Sequence, residues 1–172
     1  MTDKQTLQKK TEVVELSNEL TYRRYLMNKG KIRELFQKVS IPEYIALHMI
    51  ASENDNPMLY SGRTYLKDLS EKMQLTMRQT SKMVGELKDR GLLCWSHDGN
   101  GSEGTYVTIT ETGEKILCEQ EEILRDYYGK VIDIYGKENM IDLLQMMKQL
   151  ETVMSREIEE MEASVENGGT DG

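Results

Sequence analysis

Residues 75–93 read LTMRQTSKMVGELKDRGLL, and this stretch decides the fold prediction. Thr76 can cap a helix through its hydroxyl, while Gln79 can reach back to the capped residue. An apolar stripe at helical spacing follows: Met83, Val84 and Leu87. Gly91 comes next, and glycine closes many helices in the left-handed conformation. The stretch therefore predicts a helix over 76–88 with one buried face and one polar face.

A second helix and a turn precede this one. Leu66 and Leu69 mark the apolar side of a helix predicted over 66–72, and residues 73–75 form the turn. Two helices joined this closely are typical of a helix-turn-helix.

After Gly91 the pattern changes from helix to strand. Strands are predicted over 92–96 and 105–109, and the glycine-rich residues 98–104 between them predict a flexible hairpin tip. The predicted fold class is therefore mainly α with a small β-hairpin, arranged as a winged helix-turn-helix.

Further helices are predicted before this unit. One runs over 12–28 with an apolar stripe of Val13, Leu16, Leu20 and Met27, and a short helical piece covers 31–38. Ser40 and Glu43 are spaced as a capping box and begin a helix over 41–52. Residues 53–63 are rich in turn formers and predict a loop.

Two more helices follow the hairpin. Thr110 caps the first, which runs to about Tyr135, and Gly136 breaks it. The last covers 138–163 with a near-heptad seam of Met140, Leu143, Met147, Leu150, Met154, Ile158 and Met161. Such a seam packs either on its own domain or on a second chain, and we favour self-association. Residues 164–172 are predicted to be a disordered tail.

Length and charge narrow the function classes. The chain has 172 residues, with 22 basic and 30 acidic side chains and a net charge of −8. No apolar run approaches the roughly 20 residues that a membrane helix needs, and residues 1–10 do not resemble a secretory signal. We therefore expect a cytoplasmic protein.

The net negative charge argues against a nucleic-acid partner, because phosphate binding needs local positive charge.

The sequence contains no catalytic or metal-binding signature. It lacks a nucleophile–base motif, a glycine-rich phosphate loop and metal-ligand spacing, so neither an enzyme nor a cofactor is expected. Cys94 and Cys118 are expected to be reduced thiols packed as small hydrophobic side chains, with a redox switch as the alternative. His48 lies among apolar neighbours, which favours a core position over a ligand role.

Residues 75–93, followed by a hairpin and then VTITETGEKIL at 107–117, resemble the MarR family of bacterial transcriptional regulators. The order of the flanking helices is also similar, over about residues 12–161. The resemblance implies a homodimeric DNA-binding regulator, expected to be a repressor, on a palindromic operator. Half-sites would lie about one helical turn apart.

The resemblance also implies a domain organisation. Residues 1–39 and 111–163 would supply dimerisation helices around a winged helix-turn-helix over 40–110. The dimer core would then contain Leu16 and Leu20 from the first helix, and Met147, Leu150, Met154 and Ile158 from the last.

The DNA contacts follow from the predicted recognition helix over 76–88. Its N-terminal part would face base edges, which selects Thr76, Arg78, Gln79 and Lys82. Arginine can pair with guanine and glutamine with adenine through two hydrogen bonds each. The candidates for phosphate contacts are Arg63, Lys67, Lys72, Thr80, Ser81, Lys88 and Arg90.

The wing departs from the family pattern. MarR-like wings usually carry an arginine that enters the minor groove, whereas residues 96–110 contain no lysine or arginine. The candidate wing contacts are His97, Asn100 and Gly101, and DNA binding should depend mainly on the helix.

The resemblance further implies a small aromatic ligand. The candidate cleft residues are Tyr22, Tyr25, Tyr44 and Tyr65, and the alternative is that these tyrosines pack in the core or at an interface.

The bare wing and the acidic charge leave an alternative, a winged-helix assembly or adaptor module without specific DNA binding. The charge is unevenly distributed, however. Residues 60–95 carry a net charge of +3, whereas residues 111–172 carry −10. The whole-chain charge therefore does not exclude double-stranded DNA as the partner, and it favours modest, salt-sensitive affinity.

Overall fold

The computed structural model describes residues 3–54 and 63–167. The chain divides into two compact units, the first ending at Glu121 and the second beginning at Glu122. The helices are α1 (Asp3–Lys29), α2 (Ile41–Asn54), α3 (Leu66–Lys72), α4 (Met77–Asp89), α5 (Glu111–Tyr135) and α6 (Lys137–Asn167). The strands are β1 (Thr64–Tyr65), β2 (Leu93–His97) and β3 (Thr105–Ile109), and 3-10 turns cover Lys31–Leu35 and Gly101–Glu103. None of these helices is both long and apolar enough to cross a membrane.

The helix-turn-helix lies where the sequence predicts it. The backbone N–H of Gln79 donates to Thr76 Oγ1 at 3.2 Å, and the Thr76 N–H donates to Gln79 Oε1 at 2.9 Å. At the other end of α4, Gly91 has a φ of 74°, and the Leu92 N–H donates to the Leu87 carbonyl at 3.0 Å. This left-handed glycine and six-to-one bond end the helix. The predicted cap and stop are both confirmed.

The wing is a three-stranded antiparallel sheet in the order β1-β3-β2. The hairpin of β2 and β3 is confirmed, with Trp95 opposite Val107. The sequence analysis missed β1, whose Tyr65 pairs with Tyr106. A strand of two residues is too short to show an alternating pattern, and it lies between the loop predicted over 53–63 and the helix predicted from 66. Residues 55–62 of that loop lie outside the described part of the chain.

The core of the first unit packs α2, α3, α4, the sheet and the start of α5 together. Its buried hydrophobic residues are Val39, Ala46, Leu47, Ile50, Leu66, Leu69, Val84, Leu87, Leu92, Leu93, Val107 and Leu117. The predicted Thr110 cap is confirmed, because Thr110 Oγ1 accepts from the Gly113 N–H at 3.0 Å and donates to the Gly91 carbonyl at 2.7 Å. These bonds fix the first turn of α5 against the end of α4.

The start of α2 also follows the prediction. The Ser40 N–H donates to Glu43 Oε2 at 2.7 Å, and the Glu43 N–H donates to Ser40 Oγ at 3.4 Å. This reciprocal pair is a capping box. The helical piece predicted over 31–38 is shorter, a 3-10 turn over Lys31–Leu35.

The long helices expose much of their apolar surface. In the first unit, Leu16 of α1 is 72% exposed; in the second, Leu150 and Ile158 of α6 are 42% and 53% exposed. Gly136, with a φ of 96°, separates α5 from α6 as predicted. Helix α6 continues to Asn167, so the disordered tail was predicted to begin too early, and residues 168–172 lie outside the described part.

Two packing expectations are wrong. His48 is exposed rather than in the core, and its Nδ1 lies 3.2 Å from Glu121 Oε1. Cys94 and Cys118 are exposed as well. Each of the three directly follows a buried leucine along its helix or strand, and the next side chain along the backbone points elsewhere.

Candidate nucleic-acid interface

Helix α4 has one face in the core and one face in solvent. Val84 and Leu87 are fully buried, whereas Arg78 and Lys82, four residues apart, lie together on the exposed side. Lys82 Nζ is 4.0 Å from Glu86 Oε1, and both side chains are more than half exposed. The exposed face of α4 therefore presents cationic side chains along its first two turns.

Thr76 and Gln79 are occupied by the helix cap. Gln79 Oε1 accepts from the Thr76 hydroxyl at 3.0 Å as well as from its backbone N–H at 2.9 Å. Pairing with adenine through two hydrogen bonds needs this amide oxygen and the amide nitrogen. A base contact by Gln79 would therefore compete with the cap of α4. Arg78 takes no part in this cap, which is formed by Thr76 and Gln79.

Thr80 was wrongly chosen as a phosphate contact. Its side chain is fully buried, and its hydroxyl donates to the Thr76 carbonyl at 3.1 Å. It lies on the same face of α4 as Val84, four residues on, which packs in the core. Ser81 is half-buried, and Lys72 and Lys88 are exposed. The sequence analysis missed Met77, which is 46% exposed in the first turn of α4 and could meet a thymine methyl.

Two other candidate phosphate contacts have partners within the protein. Lys67 Nζ lies 2.9 Å from Glu103 Oε1 of the wing, and this pair raises the pKa of Lys67. Arg90 Nη1 lies 2.7 Å from Glu43 Oε1. Both cations would have to exchange a carboxylate for a phosphate to bind DNA.

Arg63 stands at the base of the wing sheet. Its guanidinium carbon lies 4.7 Å from the ring centre of Tyr106 on β3, within cation–π distance. The Tyr106 ring is in turn 5.9 Å from that of Tyr65 on β1. Because residues 96–110 contain no lysine or arginine, Arg63 supplies positive charge beside the wing.

Asp98 organises the wing tip. Its Oδ2 accepts from the Tyr65 hydroxyl at 2.9 Å and its Oδ1 from the Asn100 N–H at 2.9 Å. The hydrogen bond from Tyr65, followed by that from Asn100, lowers the pKa of Asp98. The hydrogen bond between Tyr65 and Asp98 also raises the pKa of Tyr65. The tip predicted as a flexible loop instead contains a 3-10 turn over Gly101–Glu103.

His97 also serves the tip. The Gly99 N–H donates to its Nδ1 at 2.9 Å, and its Nε2 bonds the Gly101 carbonyl oxygen. This arrangement fits the neutral ring with its proton on Nε2. His97, Asn100 and Gly101 therefore stabilise the shape of the wing in this structure.

Replacing Tyr65 with phenylalanine is expected to raise the pKa of Asp98 toward its ordinary value, because the strongest hydrogen bond to the carboxylate is lost. Because the pKa of Asp98 is lower in the folded protein than in the unfolded chain, the ionised Asp98 carboxylate stabilises the wing at neutral pH. This stabilisation is lost as the pH falls through the folded-state pKa. Carboxyl-carbon NMR titration measures the change. The Tyr25→Phe variant, altered on α1, should leave the titration as it is, and an unchanged Asp98 pKa in the Tyr65→Phe protein would contradict the assignment.

The fold of this chain is similar to those of known structures. A MarR family regulator from Neisseria meningitidis is 20% identical, with a TM-score of 0.56 over 91% of this chain and 97% of its own. The chain has the MarR-type fold. A MarR family protein from Bacillus stearothermophilus is 23% identical, with a TM-score of 0.56 over 85% of this chain and 97% of its own. The fold implied by the sequence resemblance is thereby confirmed.

A third solved structure with the MarR-type fold is that of a ligand-regulated protein. It is BpsR from Bordetella bronchiseptica, whose DNA binding is regulated by 6-hydroxynicotinic acid, and it is 16% identical to this chain. Its TM-score is 0.60 over 79% of this chain and 98% of its own. No protein-family model matches this sequence, and the curated proteins searched contain no match.

Within this MarR-type fold, the four candidate cleft tyrosines do not form one cluster. Tyr44 of α2 packs against Phe36, with ring centres 5.6 Å apart, and burial, then Glu121, raises its pKa. Tyr22 and Tyr25 are more than half exposed on α1. Tyr65 belongs to the wing, where its ring lies 5.9 Å from that of Tyr106 and its hydroxyl bonds Asp98.

A cleft of about 540 Å³ lies beside Phe36 in the first unit. It is lined by Asn28, Arg33, Phe36, Ser40, Ile41 and Pro42. Arg33 provides a cation and Phe36 an aromatic ring, which suits a small aromatic acid. The sequence analysis missed this cleft, because a single arginine near a helix cap gives no recognisable motif.

Among the described residues, no group of three or more histidine, cysteine, aspartate or glutamate side chains could hold a metal ion.

Proposed function

We propose that this chain is a transcriptional repressor that binds double-stranded DNA sequence-specifically, as a homodimer on a palindromic operator. The observation that carries the proposal is the cationic exposed face of α4, with Arg78 and Lys82, within a MarR-type winged helix-turn-helix. Residues 60–95 are net positive although the whole chain is acidic. A recognition helix with this charge fits the major groove.

Arg78 is the strongest candidate for base readout. It lies in the first turn of α4, where recognition helices contact base edges. Its guanidinium can donate two hydrogen bonds to guanine O6 and N7. Lys82, one turn later on the same side, would contact a base or a phosphate.

Dimerisation is supported by the exposed apolar residues of the long helices. Met147 is 46% exposed and Leu150 is 42% exposed on α6, and Leu16 of α1 is 72% exposed. Exposed apolar surface of this extent is costly for a protein that stays a monomer in water. A second copy of the chain would bury these residues, together with the half-buried Leu20 and Met154 and the exposed Ile158.

A small aromatic acid would release the DNA. The cleft beside Arg33 and Phe36 offers the two groups that such a ligand requires, and BpsR shares the fold and has a hydroxylated aromatic acid as regulator. Arg33 would pair with the carboxylate while Phe36 contacts the ring.

Selection of duplexes from a random pool, using the whole protein, tests the proposed function. We expect a palindromic consensus, with binding that weakens steeply as salt increases. Failure to enrich any sequence at low salt would overturn the proposal.

Replacing Arg78 with alanine is expected to cost about 1–3 kcal/mol of binding to the selected duplex and to relax the preference at one position of each half-site. The Lys72→Ala variant is the control, because loss of a phosphate contact weakens binding to all sequences alike. Fluorescence polarisation with the consensus and single-base variants measures both effects. An Arg78→Ala protein with unchanged affinity at physiological salt would show that α4 is misassigned.

The alternative is an assembly or adaptor module without specific DNA binding. The pairing of Lys67 with Glu103 favours it, because the wing neutralises a nearby cation instead of adding one. The same selection experiment decides between the two functions.

A further inference from the structure

One carboxylate joins the end of α4 to the start of α2. Arg90, the C-cap of α4, donates from Nη1 to Glu43 Oε1 at 2.7 Å and from Nη2 to the Lys38 carbonyl oxygen. Glu43 Oε2 accepts from the Ser40 N–H at 2.7 Å. The Glu43 side chain is only 14% exposed. Both oxygens of a largely buried carboxylate are therefore used.

We propose that Glu43 and Arg90 are positioning residues that fix the recognition helix α4 on α2, so that Arg90 acts through α4 and not as a phosphate contact. This proposal rests on the proposed DNA-binding function. The planar arginine fork sets direction as well as distance, since its two nitrogens bond two different groups. Arg90 thereby changes from the phosphate contact predicted from the sequence to an internal anchor.

The anchor is itself held by the rest of the first unit. The segment before α2 is tied to α5, because Gln120 Nε2 donates to the Leu35 carbonyl at 3.0 Å and Lys38 pairs with Glu119. Val39, between these contacts, is 3% exposed in the core. An arginine bound to this segment can thus orient α4, and base readout is sensitive to small displacements of the reading side chains.

The sign of the expected effect separates positioning from simple electrostatics. Removing a carboxylate from a DNA-binding unit raises affinity if charge alone matters, because phosphate is repelled less. Removing Glu43 should instead lower affinity for the specific duplex. Removing Arg90 as a phosphate contact would reduce the slope of log affinity against log salt by about 0.9, whereas loss of an anchor leaves that slope unchanged.

The experiment compares Glu43→Ala, Glu43→Gln, Arg90→Ala and the double variant Glu43→Ala/Arg90→Ala with the wild-type whole protein. Binding is measured by fluorescence polarisation over a series of salt concentrations, with the duplex selected by the wild-type protein and with a scrambled duplex. Circular dichroism at the assay temperature confirms that each variant is folded. Glu103→Gln is the matched control, since it removes a different carboxylate of the same unit and releases Lys67.

For Glu43→Ala and Arg90→Ala we expect about tenfold weaker binding to the selected duplex, with an unchanged salt slope and binding to the scrambled duplex within about twofold. The double variant should be no weaker than either single variant, because both remove the same contact. Glu43→Gln keeps one acceptor oxygen but places an amide NH2, a donor, where the other carboxylate oxygen accepted, so it should still weaken binding, though less than Glu43→Ala. Glu103→Gln should bind more tightly.

Wild-type or tighter binding by Glu43→Ala, or a shallower salt slope for Arg90→Ala, would overturn this proposal and leave the proposed function standing. A wild-type protein that selects no sequence overturns both. An unfolded Glu43→Ala protein leaves the decision to Arg90→Ala and Glu43→Gln, whose salt slopes and affinities make the same distinction.

Discussion

Introducing glutamate at both Leu150 and Ile158 is expected to convert the proposed homodimer into a monomer. The two side chains are 42% and 53% exposed in the single chain, so the substitutions leave the fold of each chain largely unaffected. In a dimer they would bury unpaired charges, which is strongly unfavourable. Loss of the second winged unit should weaken binding to the palindromic duplex by about 10²–10⁴-fold.

Light scattering after size-exclusion chromatography measures the mass, and polarisation measures DNA binding. Lys148→Glu is the matched control, because it changes the net charge of α6 by the same amount as the double variant while lying off the apolar seam. It should remain a dimer. A dimeric double variant, or a stable dimer from a chain cut after Gly136, would exclude this interface.

Replacing Gly113 with alanine is expected to destabilise the first unit by about 3 kcal/mol or more, at the upper end of the effect of overpacking. A β-carbon there would lie 2.2 Å from the Leu92 carbonyl oxygen and 2.8 Å from Ile109 Cγ1. The oxygen belongs to the backbone that connects α4 to β2, so it cannot rotate away. Relief requires α5 to move away from the end of α4.

Gly129→Ala on the same helix has the opposite expectation. A β-carbon at Gly129 meets nothing within 4 Å, so the variant should gain about 0.5–1 kcal/mol from the lower conformational entropy of its unfolded state. Thermal unfolding followed by circular dichroism should therefore place the two midpoints on opposite sides of the wild-type value. Equal midpoints would mean that α5 does not approach Leu92 as closely as the structure has it.

The elements defined by local chemistry were predictable from the sequence. Thr76 with Gln79, Ser40 with Glu43, and Gly91 are short-range signals whose geometry depends on a few neighbouring residues. The buried stripe of α4 could likewise be derived from spacing. Strand β1 could not, because its two residues become a strand only by pairing with β3.

The burial and the ion pairing of the candidate site residues were much less predictable from the sequence. The sequence suggests a surface position for Thr80, yet its side chain is fully buried on the core face of α4. Lys67 and Arg90 look like available cations, but their carboxylate partners lie 36 and 47 residues away in the chain. Ion pairs between residues so distant in sequence leave no periodic pattern, and only the tertiary structure reveals them.

The segment Phe36–Glu43 has a consequence for how a ligand signal could reach DNA. Phe36, Ser40, Ile41 and Pro42 form part of the wall of the cleft, and Glu43, the next residue, holds Arg90 at the end of α4. If the cleft binds the proposed ligand, the cleft wall and the residue that holds Arg90 are neighbours in the chain, and we expect the signal to pass through the first residues of α2. When an aromatic acid of the proposed class, for which 6-hydroxynicotinic acid serves as the probe, occupies the cleft, hydrogen exchange should accelerate at the Arg90 and Gly91 amides. Unchanged exchange there in the ligand-saturated protein would exclude this route.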